Sequence, residues 1–228
     1  MATILQIETA TAVCSVAISV NGATVALKEE KANNIHASSL TLFIEEVMKT
    51  AGLAYADLDA IAVSKGPGSY TGLRIGVSTA KGLCFALDKP LIAINTLKMM
   101  ANGYLLQHSN FGGLVCSMID ARRMEVFTAI FNHKLEEVQH THAKIIDDKS
   151  FVLELQDHYV SFIGDGAEKC QTVIDHPNAH FHINNFNSAG YMSNLAFGAY
   201  QAKAFEDVAY FEPFYLKDFV LTTPKKKV

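Results

Sequence analysis

A chain of 228 residues, half of them hydrophobic and 18% charged, can bury one large core or two small ones. No apolar run reaches the roughly 18 residues that cross a bilayer, and a net charge of −4 argues against broad electrostatic capture of nucleic acid by this chain alone. The opening "MATILQIETA" has no basic region ahead of its apolar stretch, so a cytoplasmic chain is expected.

Residues 3–8, "TILQIE", and 13–20, "VCSVAISV", favour strand, and the short "TATA" between them suits a hairpin. A third strand, "ATVALKEE", follows the Asn21-Gly22 turn signal, so the chain opens in an antiparallel meander. Residues 36–51 read as an amphipathic helix, with Leu40, Phe43, Ile44, Val47, Met48 and Ala51 at three- and four-residue steps and Gly52 as its stop. A strand, "AIAVS", leads into "GPGSYTGLRIG" (66–76); a helix near 71–87 and a strand, "LIAIN", follow.

The second half opens like the first. "VCSMIDARRMEVFTAIF" (115–131) echoes "ILQIETATAVCSVAIS"; with Asp120 placed on Glu8, Ala129-Ile130 falls on Ala17-Ile18. A tandem repeat of one α/β unit is therefore expected, with the boundary in a helical connection near 97–112. Further on, a helix in "SFVLELQDH", a strand in "YVSFIGDG", a helix in "AEKCQTVI" and a long helix in "AGYMSNLAFGAYQAKAF" complete the pattern.

The glycine-rich stretch sits where a nucleotide-binding fold grips phosphate, between a strand and a helix N-terminus. No Walker loop fits it, and a dinucleotide fingerprint fails because Thr71 stands where the third glycine belongs. Gly66 and Gly68 allow tight turns and Pro67 fixes φ, while Thr71 is a candidate helix cap. The plainer alternative is a strand-to-helix corner that needs small residues for close packing. In the first turn, Glu8, Thr9, Thr11 and Ser15 place hydroxyls beside an acid, an arrangement that suits phosphate or metal-bound water and equally suits ordinary turn chemistry.

On the second helix, Leu73, Val77, Ala80, Cys84 and Leu87 form one apolar seam. Ile75, Gly76, Gly82, Leu83 and Ala86 leave most of the remaining surface small or apolar, and Arg74, Ser78 and Lys81 form a narrow polar strip. Such a helix needs cover on more than one side: its own sheet on one, a second subunit on the other. The four cysteines (14, 84, 116 and 170) form no CxxC and read as reduced, buried thiols. His140/His142 and His180/His182 each offer two metal ligands on a strand without a third; His36 reads as a local structural group. No G-x-S-x-G or H-E-x-x-H occurs, and "PKKKV" reads as a solvated end.

"IETATAVCSVAI", "GPGSYTGLRIGVSTAKGL", "IDARRMEVF" and "EPFYLKD", in that order, resemble the TsaB (YeaZ) family over nearly the whole chain. The family usually has Asp where Glu8 stands and Arg where Lys217 stands. The resemblance implies an α/β actin-like ATPase (ASKHA) fold of two tandem lobes with mixed sheets that open in antiparallel hairpins. An N-terminal lobe (1–104) would carry a helix-bundle interface, and a C-terminal lobe (105–228) would follow. It implies a non-catalytic partner subunit of the bacterial machinery that makes threonylcarbamoyladenosine in tRNA. The partners would be a second copy, the catalytic TsaD (Kae1-like) sister and a TsaE-like ATPase, with tRNA met through the complex and no membrane. In the sister, N-H-M-E-G-H supplies two metal-binding histidines. Here the corresponding run is Asn95-Thr96-Leu97-Lys98-Met99-Met100, so Thr96 and Met100 replace them, and neither is an adequate ligand for that chemistry. No catalytic residue, metal or tightly bound cofactor is then expected, with ATP or ADP bound at most weakly or at an interface of the complex. The implied interface is Leu40, Phe43, Ile44, Val47, Met48, Leu73, Gly76, Val77, Ala80 and Cys84. Glu8, Thr9, Thr11, Gly66 and Gly68 would be a vestige of phosphate binding. Two other readings stand beside this one: an independent small-molecule kinase or peptidase-like enzyme of the same fold, and a general protein-interaction regulator.

Overall fold

The computed structural model describes residues 1–32, 35–184 and 186–217. Strands β1 (Thr3–Glu8), β2 (Val13–Val20) and β3 (Ala23–Lys31) form the expected meander. Helix α1 (Ile35–Ala51), β4 (Ala60–Gly66), α2 (Tyr70–Leu87), β5 (Leu91–Asn95) and α3 (Thr96–Gln107) follow. The sheet order is β3-β2-β1-β4-β5, with β4 parallel to β1 and β5 parallel to β4. The second half repeats this. Strands β6 (Leu114–Asp120), β7 (Glu125–Phe131), β8 (Glu137–Ile145), β9 (Val160–Ile163) and β10 (Ala179–His182) are ordered β8-β7-β6-β9-β10. The short helices α4 (Val152–Asp157) and α5 (Ala167–Cys170) occupy the positions of α1 and α2, and α6 (Ser193–Gln201) that of α3. Each half thus runs β-β-β-α-β-α-β-α, the duplicated unit of the actin-like ATPase fold.

Burial on alternate strand positions sorts the core into three layers. Leu5, Ile7, Val16, Ile18, Ile61 and Val63 point from the first sheet to α1 and α2. Cys116, Met118, Val126, Ile130 and Phe162 point from the second sheet to α4 and α5. Between the sheets, Ile4, Ala62, Val115 and Ile119 meet Leu97, Met100 and Tyr104 of α3 and Ala196 of α6.

These faces correct the repeat alignment. Glu8 shares the inter-sheet face of β1 with Ile4, two steps from Gln6. Asp120 has the parity of Cys116 and Met118, on the opposite face, and takes an ion pair from Lys169 on α5. The hairpins are equivalent, because Ala17 pairs with Gln6 and Ala129 with Ser117. In the first strand, however, the partner of Glu8 is Ile119, and Asp120 falls on Thr9. A one-residue slip in a strand reverses the face.

Strands β8 and β10 are additions to the expected pattern. The expected long helix over 189–205 is instead a 3₁₀ turn (Ala189–Met192) followed by the nine-residue α6. All four cysteines are free and buried, and burial pushes the Cys14, Cys84 and Cys116 thiols up to about 12. A cut after residue 104 falls inside α3. The chain then returns across the first lobe: Glu206 N–H donates to Leu91 O (2.9 Å) and Phe214 N–H to Lys65 O (2.7 Å). The tail "PKKKV" lies outside the described residues.

Candidate functional site

The glycine-rich corner is packed against the first hairpin turn. Ser69, not Thr71, caps α2, its Oγ accepting from Gly72 N–H at 3.2 Å. Ser69 N–H donates to Ala10 O at 2.6 Å, and Thr9 Oγ1 donates to Gly72 O at 2.8 Å. A Cβ on Gly68 would stand 2.3 Å from Ala10 O, one on Gly72 2.1 Å from Thr9 O, and one on Gly76 2.2 Å from Thr9 Oγ1. The row at i, i+4 and i+8 is therefore a groove along α2 that seats residues 9–10. Gly66, at φ +108°, turns the chain where any side chain would press on Phe214 O, 2.8 Å from its Cβ position. The corner and the terminal "EPFY" are thus in direct contact. Thr11 is held apart from the glycines: its carbonyl meets His36 Nε2 (2.7 Å) and its hydroxyl accepts from Val13 N–H (3.3 Å).

Glu8 is fully buried at the end of β1. Its Oε1 accepts from Ala10 N–H at 2.5 Å, while Oε2 has no partner. Ser64 is near enough to favour the carboxylate, yet its Oγ makes no aligned hydrogen bond. Desolvation dominates and raises the carboxyl to about 7, against the opposing pull of the Ala10 amide and Ser64. Burial likewise holds His36 below the ordinary imidazole range, against the Thr11 carbonyl.

Thr96 and Met100 are both in structural use. Thr96 Oγ1 accepts from Gly66 N–H at 3.1 Å, tying the start of α3 to the glycine corner. Met100 is buried beneath Gly164, where a Cβ would stand 2.3 Å from its Cε. Among the described residues no three His, Cys, Asp or Glu side chains converge as metal ligands. His140 pairs with Glu137 at the surface (2.9 Å). His180 and His182 instead line a cavity of about 600 Å³ beside Tyr104.

The residues expected to form the helix-bundle interface are buried within the chain. Leu40, Phe43, Ile44, Val47 and Met48 of α1, and Val77, Ala80 and Cys84 of α2, are buried against the chain's own first sheet. Leu73 is buried beside Gly66, and Gly76 faces Thr9. All ten are thus packed within the chain itself, because the strongest seam of an amphipathic helix goes to the nearest sheet. The solvent-facing strip of α2 is Thr71, Arg74, Ser78, Gly82, Phe85 and Ala86, with Phe85 86% exposed. Leu42, 60% exposed, projects from the outer side of α1. Periodicity separates the two strips in the sequence, and exposed Phe85 is the signal that marks the outer one.

The family model described as TsaD, tRNA N6-adenosine threonylcarbamoyltransferase, matches residues 27–226. The tRNA threonylcarbamoyladenosine biosynthesis protein TsaB of Escherichia coli K12 is 36% identical over 137 residues, 60% of this chain and 58% of that protein. The match thus takes in little more than half the length of that curated relative. YeaZ from Pseudomonas aeruginosa superposes with a TM-score of 0.80 at 26% identity, over 95% of this chain and all of that one. A further structure, described as an uncharacterized protein with similarity to peptidase YEAZ from Pseudomonas aeruginosa, reaches 0.84 at 25% identity over the same shares. With the duplicated topology and the glycine corner beside them, these likenesses agree: the chain belongs to the family described as TsaD, tRNA N6-adenosine threonylcarbamoyltransferase, and within it groups with the TsaB (YeaZ) proteins.

Proposed function

We propose that this chain is a non-catalytic subunit of the system that forms threonylcarbamoyladenosine in tRNA, and that it binds and orders a catalytic TsaD-like sister. The observation that carries the reading is the use made of Thr96 and Met100: one braces the glycine corner and the other fills core, where the sister family places its metal histidines. The contact face is the outer strip of α2 with the outer side of α1, where Gly82 and Ser78 admit a close helix and Phe85 supplies an anchor. The same strip would serve a second copy of the chain, in competition with the sister. A TsaE-like ATPase, its nucleotide and the tRNA then join through the assembly rather than through this chain alone. Residues 9–10 seated in the α2 groove, with the Ser69 amide spent on Ala10, support the expectation that no nucleotide is held tightly here.

The test is Phe85→Glu, measured by sedimentation of the protein alone and by capture of the catalytic sister. Leu153→Glu, on α4 and 77% exposed, is the control. At least tenfold weaker association with Phe85→Glu, a melting temperature near that of the parent and no loss with Leu153→Glu are expected. Undiminished association in a folded Phe85→Glu protein would remove the strip from the interface. Metal-dependent turnover by the pure chain would remove the non-catalytic reading.

A further inference from the structure

The second lobe carries a cavity of about 600 Å³ that none of the foregoing uses. It opens where the end of α3, the loop at 110–113, strand β9 and the edge strand β10 meet. Its walls are rings: Tyr104 at the base, Phe111 edge-on to it (5.3 Å between centroids), and His182 edge-on from the other side (5.0 Å). Tyr159 and His180 form the outer wall, tilted 40° to each other at 5.7 Å. Polar atoms converge at the base, where Tyr104 Oη lies 2.8 Å from Ser161 Oγ and 3.4 Å from His182 Nε2.

The charge of the lining selects the ligand. Among the described residues no Lys or Arg lines the cavity, so an isolated phosphate finds no cationic partner among them. Among the described residues Asp157 is the sole carboxylate in the lining, at an exposed position, too little to desolvate a cation. Burial, followed by the neighbouring His108 and His180, holds the His182 imidazole below its ordinary range, which favours the neutral ring at neutral pH. What remains is a site dominated by aromatic faces and hydrogen-bonding groups of both senses, in the size range of small-ligand pockets. Flat heteroaromatic rings with polar edges are held in this way, by stacking on aromatic or imidazole planes with hydrogen bonds to the edge.

We infer that this cavity binds a nucleobase, either as a free nucleoside or as an unpaired base of an RNA strand. The reading rests on the cavity, and its RNA form also rests on the assembly proposed above. With no basic side chain among the described lining residues, binding of one base is weak. It therefore adds selectivity to an RNA that an assembly already holds rather than capturing RNA alone.

The experiment follows the imidazole NMR resonances of the full chain during titration with adenosine, cytidine and uridine. It repeats the titration with a single-stranded RNA pentamer and with a blunt-ended, fully paired RNA duplex. Saturable shifts of the His180 and His182 rings are expected at millimolar nucleoside or below. Tighter binding of the pentamer than of any nucleoside identifies an unpaired RNA base as the ligand, whereas nucleosides alone identify a free nucleoside. Two variants bracket the site. Gly112→Trp fills the mouth from a position with nothing within 4 Å of its Cβ, and Tyr159→Ala removes the outer wall. The first should abolish the shifts and the second should weaken binding at least fivefold, both with melting close to the parent's. Absence of shifts with every probe, or shifts that survive Gly112→Trp unchanged, would overturn the inference.

Discussion

At the scale of single residues, Glu8 is the group whose chemistry and burial conflict most. Its carboxyl ordinarily titrates near 4.5 and here titrates near 7 because burial penalises the charge. The folded protein therefore holds this proton more tightly than the unfolded chain does. Below pH 4.5 the group is neutral in both states and costs nothing; between 4.5 and 7 the cost grows, and above 7 it is complete. The shift corresponds to about 3 kcal/mol. Glu8→Gln, which keeps an acceptor for Ala10 N–H, should stabilise the protein by up to about 3 kcal/mol at pH 8 and change little at pH 4. Urea unfolding at the two pH values measures it. Equal effects at both would mean that the carboxyl is not the source of the cost. The identity of this residue was legible in the sequence, but its protonation was not, because that depends on the complete burial the fold imposes, against the opposing pull of Ala10 and Ser64.

At the scale of elements, α2 tests what its glycines are for. Gly72 has its Cβ position 2.1 Å from Thr9 O, whereas Gly82 has nothing within 4 Å. Gly72→Ala must push the hairpin turn off the helix and should destabilise by roughly 1–3 kcal/mol. Gly82→Ala meets no obstacle and should stabilise by about 0.5–1 kcal/mol through helix propensity. Opposite signs in thermal melts are the expected outcome; two losses would show that the outer strip is already packed within the chain. The meander, α1, α2 and β4 are readable because their apolar alternation is strong. Strand β8, "EVQHTHAKI", is an edge strand whose polar residues mask its period, and the four-residue β10 is too short to signal. The stripe expected at an interface covers the chain's own first sheet for a different reason. Periodicity tells which side chains share a face of a helix and is silent on whether a sheet or a partner covers that face. Likewise Glu8 and Asp120 look equivalent in an ungapped alignment, and only the strand faces reveal the slip.

At the scale of the whole molecule, the two lobes share one buried layer. Each closing helix packs between the sheets: α3 touches β6 and β7, and α6 touches β1 and β5. Asn102 of α3 joins the two helices, its Nδ2 donating to Tyr191 O and Asn194 Oδ1 at 2.7 Å each. Ala189 N–H donates to Ser15 Oγ (2.9 Å) across the same layer, and Lys217 pairs with Glu125 to fasten the returning segment to the second sheet. Separating the lobes would expose Phe186, Met100 and Tyr104, all buried between them. A fragment ending at residue 104 would keep Tyr104 but lose its Ser161 partner and the second sheet above it. Calorimetry of the full chain should therefore give one transition, with calorimetric and van't Hoff enthalpies equal, and the 1–104 fragment should lack a cooperative transition. Phe186→Ala should cost about 3–5 kcal/mol and move that single transition down without splitting it. The chain has no tryptophan, so tyrosine circular dichroism in the near ultraviolet supplies the second probe, with Tyr104 and Tyr191 reporting from the shared layer. Two resolved transitions, or a fragment that melts cooperatively on its own, would mean that the lobes fold independently and that the layer between them is an interface rather than a core.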